Sequence, residues 1–197
     1  MLKVGITGGI GSGKTTICKL FEVLRIPIYY ADIRAKALMT EDPELVKRIK
    51  EKFGEKTYWT DGSLDRKYLA SIIFKDKEKL RELNELVHPA VFRDAEKWQS
   101  QQKDVPYTLR EAAIAFESGS YKFLDKMITV FAPEEIRIDR VIKRDFTNRS
   151  EVLSRIAKQM PELEKIKRSD FVIINDGEHS LVSQVLDIHD QLKRING

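Results

Sequence analysis

Apolar residues change their spacing repeatedly along the chain, and each change marks an element. Residues 2–7 form a short β-prone run, after which Ile17, Leu20, Phe21 and Leu24 recur at three- and four-residue steps and predict a helix over 15–24. Residues 27–31 are a second apolar run, opened by Pro27 and stopped by Asp32, with the length of a buried strand. Over 33–103 the spacing is helical, with Leu80, Leu83, Leu86, Val87, Val91, Ala95 and Trp98 on recurring steps. A turn-rich stretch at 54–63 interrupts it, and so does His88-Pro89, where the proline disfavours α geometry in the residue before it and predicts a helix break. Strand-like runs return at 107–116 and 127–132, separated by a turn at Gly119 and a short helical piece. Residues 134–160 read as helix and 171–174 as a last strand, closed by Asn175-Asp176-Gly177. A helix over 180–195 carries Leu181, Val185, Ile188, Leu192 and Ile195 on one face, suited to cover a sheet. The charged stretch 162–170 is mixed in sign and reads as a solvated loop.

Strands alternating with helices predict an α/β fold with a parallel sheet, because a parallel connection needs a crossover and the crossover is usually a helix. With 197 residues the expectation is one domain with insertions rather than two independent domains. The net charge of +4 is the difference between 35 basic and 31 acidic residues that are interspersed, so solvated helix faces are expected and a nucleic-acid partner is not. No apolar run reaches the roughly 18 residues of a membrane span, and the chain starts on a strand-like run instead of a signal peptide. The single Cys18 reads as a small buried residue on the first helix. A cytoplasmic monomer without a membrane partner is the expectation.

The chemistry concentrates in Gly8-Gly9-Ile10-Gly11-Ser12-Gly13-Lys14-Thr15, which fills every fixed position of G-x-x-x-x-G-K-[ST] between a predicted strand and a predicted helix. Glycines let successive amides turn toward a polyphosphate; Lys14 suits the β/γ oxygens and Thr15 suits Mg²⁺. The guanine-reading Asn-Lys-x-Asp is absent, and no Asp stands three residues before a Gly, so the GTPase motifs are missing. Asp32, just past the second strand, sits where parallel sheets bind ligands and suits a general base; the same position suits an N-cap for a helix starting at Ile33. Arg137, Arg140 and Arg144 fall on one helical face, either to clamp phosphate or to pair with Glu134, Asp139, Asp145 and Glu151.

These residues resemble the dephospho-CoA kinases, which transfer the γ-phosphate of ATP to the 3′-hydroxyl of the ribose in dephospho-CoA, the last step of CoA biosynthesis. The resemblance rests on Ile6 through Thr16, Ala31-Asp32, Leu83-Asn84 with Val87-His88-Pro89, and Phe116-Glu117. It continues through Arg140 to Arg144-Asp145, Arg155-Ile156 with Gln159, and Val172-Ile173-Ile174-Asn175 with Gly177. It implies a P-loop NTPase three-layer sandwich with a five-stranded parallel sheet, a core of about 1–32, 104–136 and 168–197, a helical CoA-binding insertion over about 33–103, and an arginine-bearing lid over about 137–167. It further implies Asp32 as catalytic base, with Lys14 and Arg144 catalytic, and ATP held by Gly9, Gly11, Ser12, Gly13, Lys14, Thr15, Thr16, Arg140 and Asn175. Mg²⁺ falls to Thr15, and the acceptor to Asp32, His88 and Glu117. The family writes Asp-Ala-Asp where this chain has Tyr30-Ala31-Asp32, and Pro-Leu-Leu-Phe-Glu where it has Ala113-Ile114-Ala115-Phe116-Glu117. Because strand side chains alternate, Tyr30 and Asp32 are expected to share a face, so the missing first acid is expected to weaken Mg²⁺ ordering through water. The alternative reading is another P-loop kinase, for a nucleoside monophosphate or a small hydroxylated metabolite.

Overall fold

Short runs rich in Ile, Val and Tyr pair into one sheet that is parallel throughout: β1 (Leu2–Thr7), β2 (Ile28–Tyr30), β3 (Tyr107–Glu111), β4 (Lys126–Phe131) and β5 (Phe171–Ile174). The helices are α1 (Lys14–Val23), α2 (Ala31–Glu41), α3 (Pro43–Phe53), α4 (Arg66–Ile73), α5 (Lys77–Ser100), α6 (Glu134–Asp145), α7 (Arg149–Ile156), α8 (Glu162–Lys167) and α9 (Leu181–Asn196). The computed structural model describes residues 1–74 and 76–196, without the side chain of Asn196; Lys75 in the expected insertion and Gly197 at the end of the expected core lie outside the described residues. Two compact units form, Met1–Tyr30 with Gln102–Gly197, and Ala31–Gln101.

In the first unit the strand order is β2-β3-β1-β4-β5. From β1 the chain moves to β2 on one side and later returns to β4 on the other, so the carboxyl end of β1 is the point where the winding reverses. That is where open parallel sheets leave a crevice for ligands. Alternate side chains of the strands, Val4, Ile6, Leu109, Ile128, Val130 and Ile173, pack with Ile17 and Phe21 of α1 and with Val185, Ile188 and Leu192 of α9. Each fully buried aliphatic side chain of this kind contributes about 1.5–3 kcal/mol. The opposite face meets α8, and Thr129 Oγ1 lies 2.6 Å from Ser169 Oγ, two residues past that helix.

The second unit has its own core, built from Leu38, Leu45, Ile49, Phe53, Leu69, Leu83 and Val87. Asp42, Asp65 and Asp76 cap α3, α4 and α5 with their side chains. The expected break at His88-Pro89 does not occur: α5 runs through Pro89. Buried Leu83 and Val87 before it and Ala90 and Ala95 after it keep one continuous face against the core, and the carbonyl that loses its donor belongs to the exposed Glu85.

Four other boundaries differ from expectation. β3 ends at Glu111, and 113–119 turn rather than extend. The stretch 134–160 divides into α6 and α7 at Phe146, which takes a left-handed conformation (φ 52°, ψ 41°). The stretch 162–170 contains α8 rather than only a loop, because Lys165 turns inward and is fully buried. Finally, α2 starts at Ala31, directly after β2, so strand alternation does not extend to Asp32.

Candidate active site

Between β1 and α1 the chain folds tightly over the carboxyl end of the sheet. Gly11 (φ 80°) and Gly13 (φ 92°) lie in the left-handed region, and a Cβ on them would stand 2.4 Å from the Arg137 carbonyl oxygen and 2.1 Å from Asn175 Nδ2 respectively. Both conformation and space therefore demand glycine. The amides of Thr16 and Ile17 donate to Gly13 O at 3.0 and 3.2 Å, opening the helix, and Ser12 N–H donates to Gly9 O at 3.1 Å. Among the described residues, the amides of Gly11, Gly13 and Thr15 donate to nothing in the chain. The unpaired N–H groups of Gly11 in the loop and of Gly13 and Thr15 at the start of α1, where the helix dipole is positive, form a nest for an anion. Lys14 folds back over the first turn of the loop, its Nζ donating to Gly8 O (2.9 Å) and Gly9 O (3.4 Å).

Behind this loop stands Asn175, just past β5 and buried. Its Nδ2 donates to Ser12 O at 2.8 Å, while Arg140 donates to its Oδ1 (3.1 Å) and its backbone O (3.2 Å). Arg140 and Asn175 thus meet each other and Ser12 O as a strut under the nest. The three arginines of α6 do not converge. Arg137 is buried, donating from Nε to Ala132 O at 3.1 Å, and its Nη1 would stand 2.5 Å from a Cβ on Gly9. Arg144 pairs with its neighbour Asp145 through two contacts, at 2.7 and 3.1 Å, and Asp145 also takes Arg155 at 2.8 Å. Arg144 and then Arg155 hold the Asp145 carboxyl below the usual carboxylate range.

Three acids and a tyrosine stand at or just past the ends of β2 and β3. Glu111 is the last residue of β3, buried, and paired in register with Ile6 of β1 and Tyr30 of β2. Burial first, and then the charge of Glu111, pushes the Cys18 thiol far above its ordinary value. Cys18 is therefore inert. Tyr30 donates its hydroxyl to Glu22 at 2.9 Å; burial, then that hydrogen bond, raises its pKa. Glu117 lies in the turn after β3, accepting from Met160 N–H (2.8 Å) and facing Lys165 Nζ at 3.1 Å. In the second unit, Asp32 is exposed in the first turn of α2, and among the described residues its carboxylate has no hydrogen bond or ion pair. His88 is half-buried in mid-α5, and burial lowers its pKa.

A family model described as dephospho-CoA kinase matches residues 2–180. The chain belongs to the dephospho-CoA kinase family. A dephospho-CoA kinase of Bacteroides fragilis is 36% identical over 187 residues, covering 95% of this chain and 91% of its own. A solved structure from Thermus thermophilus superposes with a TM-score of 0.82 at 35% identity, covering 95% of each chain. The dephospho-CoA kinase from Campylobacter jejuni shares the fold at a TM-score of 0.70 and 24% identity, covering 99% of this chain and 98% of its own.

A kinase of this family uses ATP and so needs a nest for its phosphates. Among the described residues no cluster of three or more His, Cys, Asp or Glu forms. Mg²⁺ suits such a donor set, since it is held by one or two protein oxygens together with phosphate oxygens and water. The oxygens that could take part in holding one are those of Thr15, exposed at the start of α1, and Glu111, at the end of the strand next to β1. Sequence reading missed Glu111 because it carried β3 on to Phe116 and so took Glu117 as the acid that ends the strand. An acid closing the alternation at 107–111 is the signal that finds it.

Proposed function

We propose that the chain transfers the γ-phosphoryl group of ATP to the ribose 3′-hydroxyl of dephospho-CoA, giving CoA and ADP. Family membership over residues 2–180 carries the reading, and the unpaired amides of Gly11, Gly13 and Thr15 support it chemically. Gly9, Gly11, Ser12, Gly13, Lys14, Thr15 and Thr16 cradle the polyphosphate, with Arg140 and Asn175 bracing the cradle from behind. Lys14 leaves the carbonyls of Gly8 and Gly9 for the β/γ oxygens, neutralising charge as the bond to the leaving oxygen lengthens. Mg²⁺ would be held by the Thr15 hydroxyl and the Glu111 carboxylate, and would supply charge neutralisation when bound. Asp32 accepts the hydroxyl proton of the acceptor as it attacks in line. Arg144 exchanges its carboxylate partner for phosphate oxygens, an exchange that an exposed ion pair permits at little cost. The unit Ala31–Gln101, His88 included, is the CoA-binding insertion, and Glu117 serves the site by holding the segment after α7. Among the described residues no helix is long and apolar enough to cross a membrane. A cytoplasmic monomer without a nucleic-acid partner is proposed from the interspersed basic and acidic residues.

The test is ADP release from ATP and Mg²⁺ with dephospho-CoA, adenosine, AMP, CMP or shikimate as acceptor. Stimulation by dephospho-CoA alone, with the acceptor gaining one phosphate in the mass spectrum, is expected. Stimulation by another acceptor alone would assign a different small-molecule kinase.

A further inference from the structure

Residues 159–165 touch the phosphate loop and the exit of β3 at several points, all within the first unit. Gln159 Oε1 accepts the Ile10 amide at 2.8 Å. The Ile10 side chain packs against Ile138, Val141 and Val152, the small apolar core of α6 and α7, so this loop residue is held at both backbone and side chain. Glu162 comes close enough to Gly9 that a Cβ there would meet its Oε1 at 2.5 Å. Lys165, fully buried, places Nζ 3.1 Å from Glu117 Oε1 and 3.4 Å from Ala113 O. Glu117 Oε1 also takes the Met160 amide, and Ala113 O takes the hydroxyl of Thr7, the last residue before the loop, at 3.4 Å.

We infer that 159–165 is a fixed strap and not part of a moving lid, and that Gln159 is a positioning residue for ATP, setting the first turn of the phosphate loop through the Ile10 amide. The inference rests on the kinase reading above only for its kinetic arm. Pulling the strap away would strip a buried ammonium of its counter-charge, which is strongly unfavourable, so motion within 137–167 is confined to the stretch between α6 and the strap. Lys14 lies on Gly8 and Gly9, the turn that meets the transferred phosphoryl group. An error in Ile10 therefore falls on nucleotide binding and leaves the acceptor alone. A part-buried amide left without an acceptor is worth about tenfold in an equilibrium constant.

The test compares wild type, Gln159→Met and Gln159→Glu. In the nucleotide-free protein, hydrogen exchange followed by NMR should show the Ile10 amide protected in wild type, exposed in Gln159→Met and again protected in Gln159→Glu, which keeps an accepting oxygen. In turnover, Gln159→Met should raise the KM for ATP about tenfold and leave the KM for dephospho-CoA within about twofold. An Ile10 amide equally protected in wild type and Gln159→Met, or both KM values rising together, would overturn the assignment. A wild-type protein that does not turn over dephospho-CoA would remove the kinase reading, and the exchange data would still decide whether Gln159 holds the loop.

Discussion

At Asp32 the carboxylate is exposed and without a partner among the described residues, which fits a base that must be available to a hydroxyl and argues against a structural carboxylate. Asp32→Asn is expected to lower kcat by two or more powers of ten while nucleotide affinity, measured by equilibrium titration with an ATP analogue, changes less than about threefold. Wild-type turnover in that variant would remove the base assignment. Phe146 is the opposite kind of residue. It is 95% exposed and holds the left-handed conformation that ends α6, so its ring packs on nothing and its Cβ carries strain that glycine lacks. Phe146→Gly should stabilise the protein by about 0.5–1 kcal/mol and raise Tm by about 1–3 °C in calorimetry. At this scale the phosphate loop was legible, since its glycines answer local backbone demands that a motif records. The partners of Arg137, Arg140 and Arg144 were not, because helical spacing fixes which residues share a face and says nothing of the carbonyls and carboxylates that other segments bring to them.

Elements were read well where one buried face dictated them, as in α1 and α9, and misread where a long-range partner decided the outcome. β3 stops at Glu111 although apolar residues continue to Phe116, because Ala112 is the last residue to donate to β1, through Ile6 O. α8 forms where a mixed charge run suggested a loop, because Lys165 buries its ammonium against Glu117, a pairing 48 residues apart in sequence (165 − 117). That pair makes an element-scale prediction. Glu117→Gln leaves a fully buried lysine without an anion and should destabilise the first unit by about 3 kcal/mol, read from that unit's transition in urea by far-UV circular dichroism. Lys165→Met should destabilise less, since the Glu117 side chain is 21% exposed and can turn to water. The double variant should lose less than the sum of the two single losses. Strictly additive losses would show that the two side chains do not interact.

The whole molecule is two compact units with separate apolar cores, joined by two chain crossings after Tyr30 and after Gln101. The expectation of one domain with an insertion treated the helical stretch as an appendage. A core of its own gives that stretch the means to unfold on its own, so a two-state description is not expected to hold for the whole chain. The chain supplies its own reporter: its two tryptophans, Trp59 and Trp98, both lie in Ala31–Gln101. Tryptophan fluorescence therefore follows the second unit, and far-UV circular dichroism follows both. The phosphate loop, Arg140 and Asn175 all belong to the first unit. A non-hydrolysable ATP analogue with Mg²⁺ at about 100 times its Kd stabilises what it binds by about 2.7 kcal/mol. It should move the dichroism transition upward in urea while the fluorescence transition shifts by less than half as much. Dephospho-CoA should do the reverse if Ala31–Gln101 is the acceptor-binding insertion. Coincident shifts of both signals with either ligand would mean that the units unfold as one, and a fluorescence transition indifferent to dephospho-CoA would remove the insertion from acceptor binding.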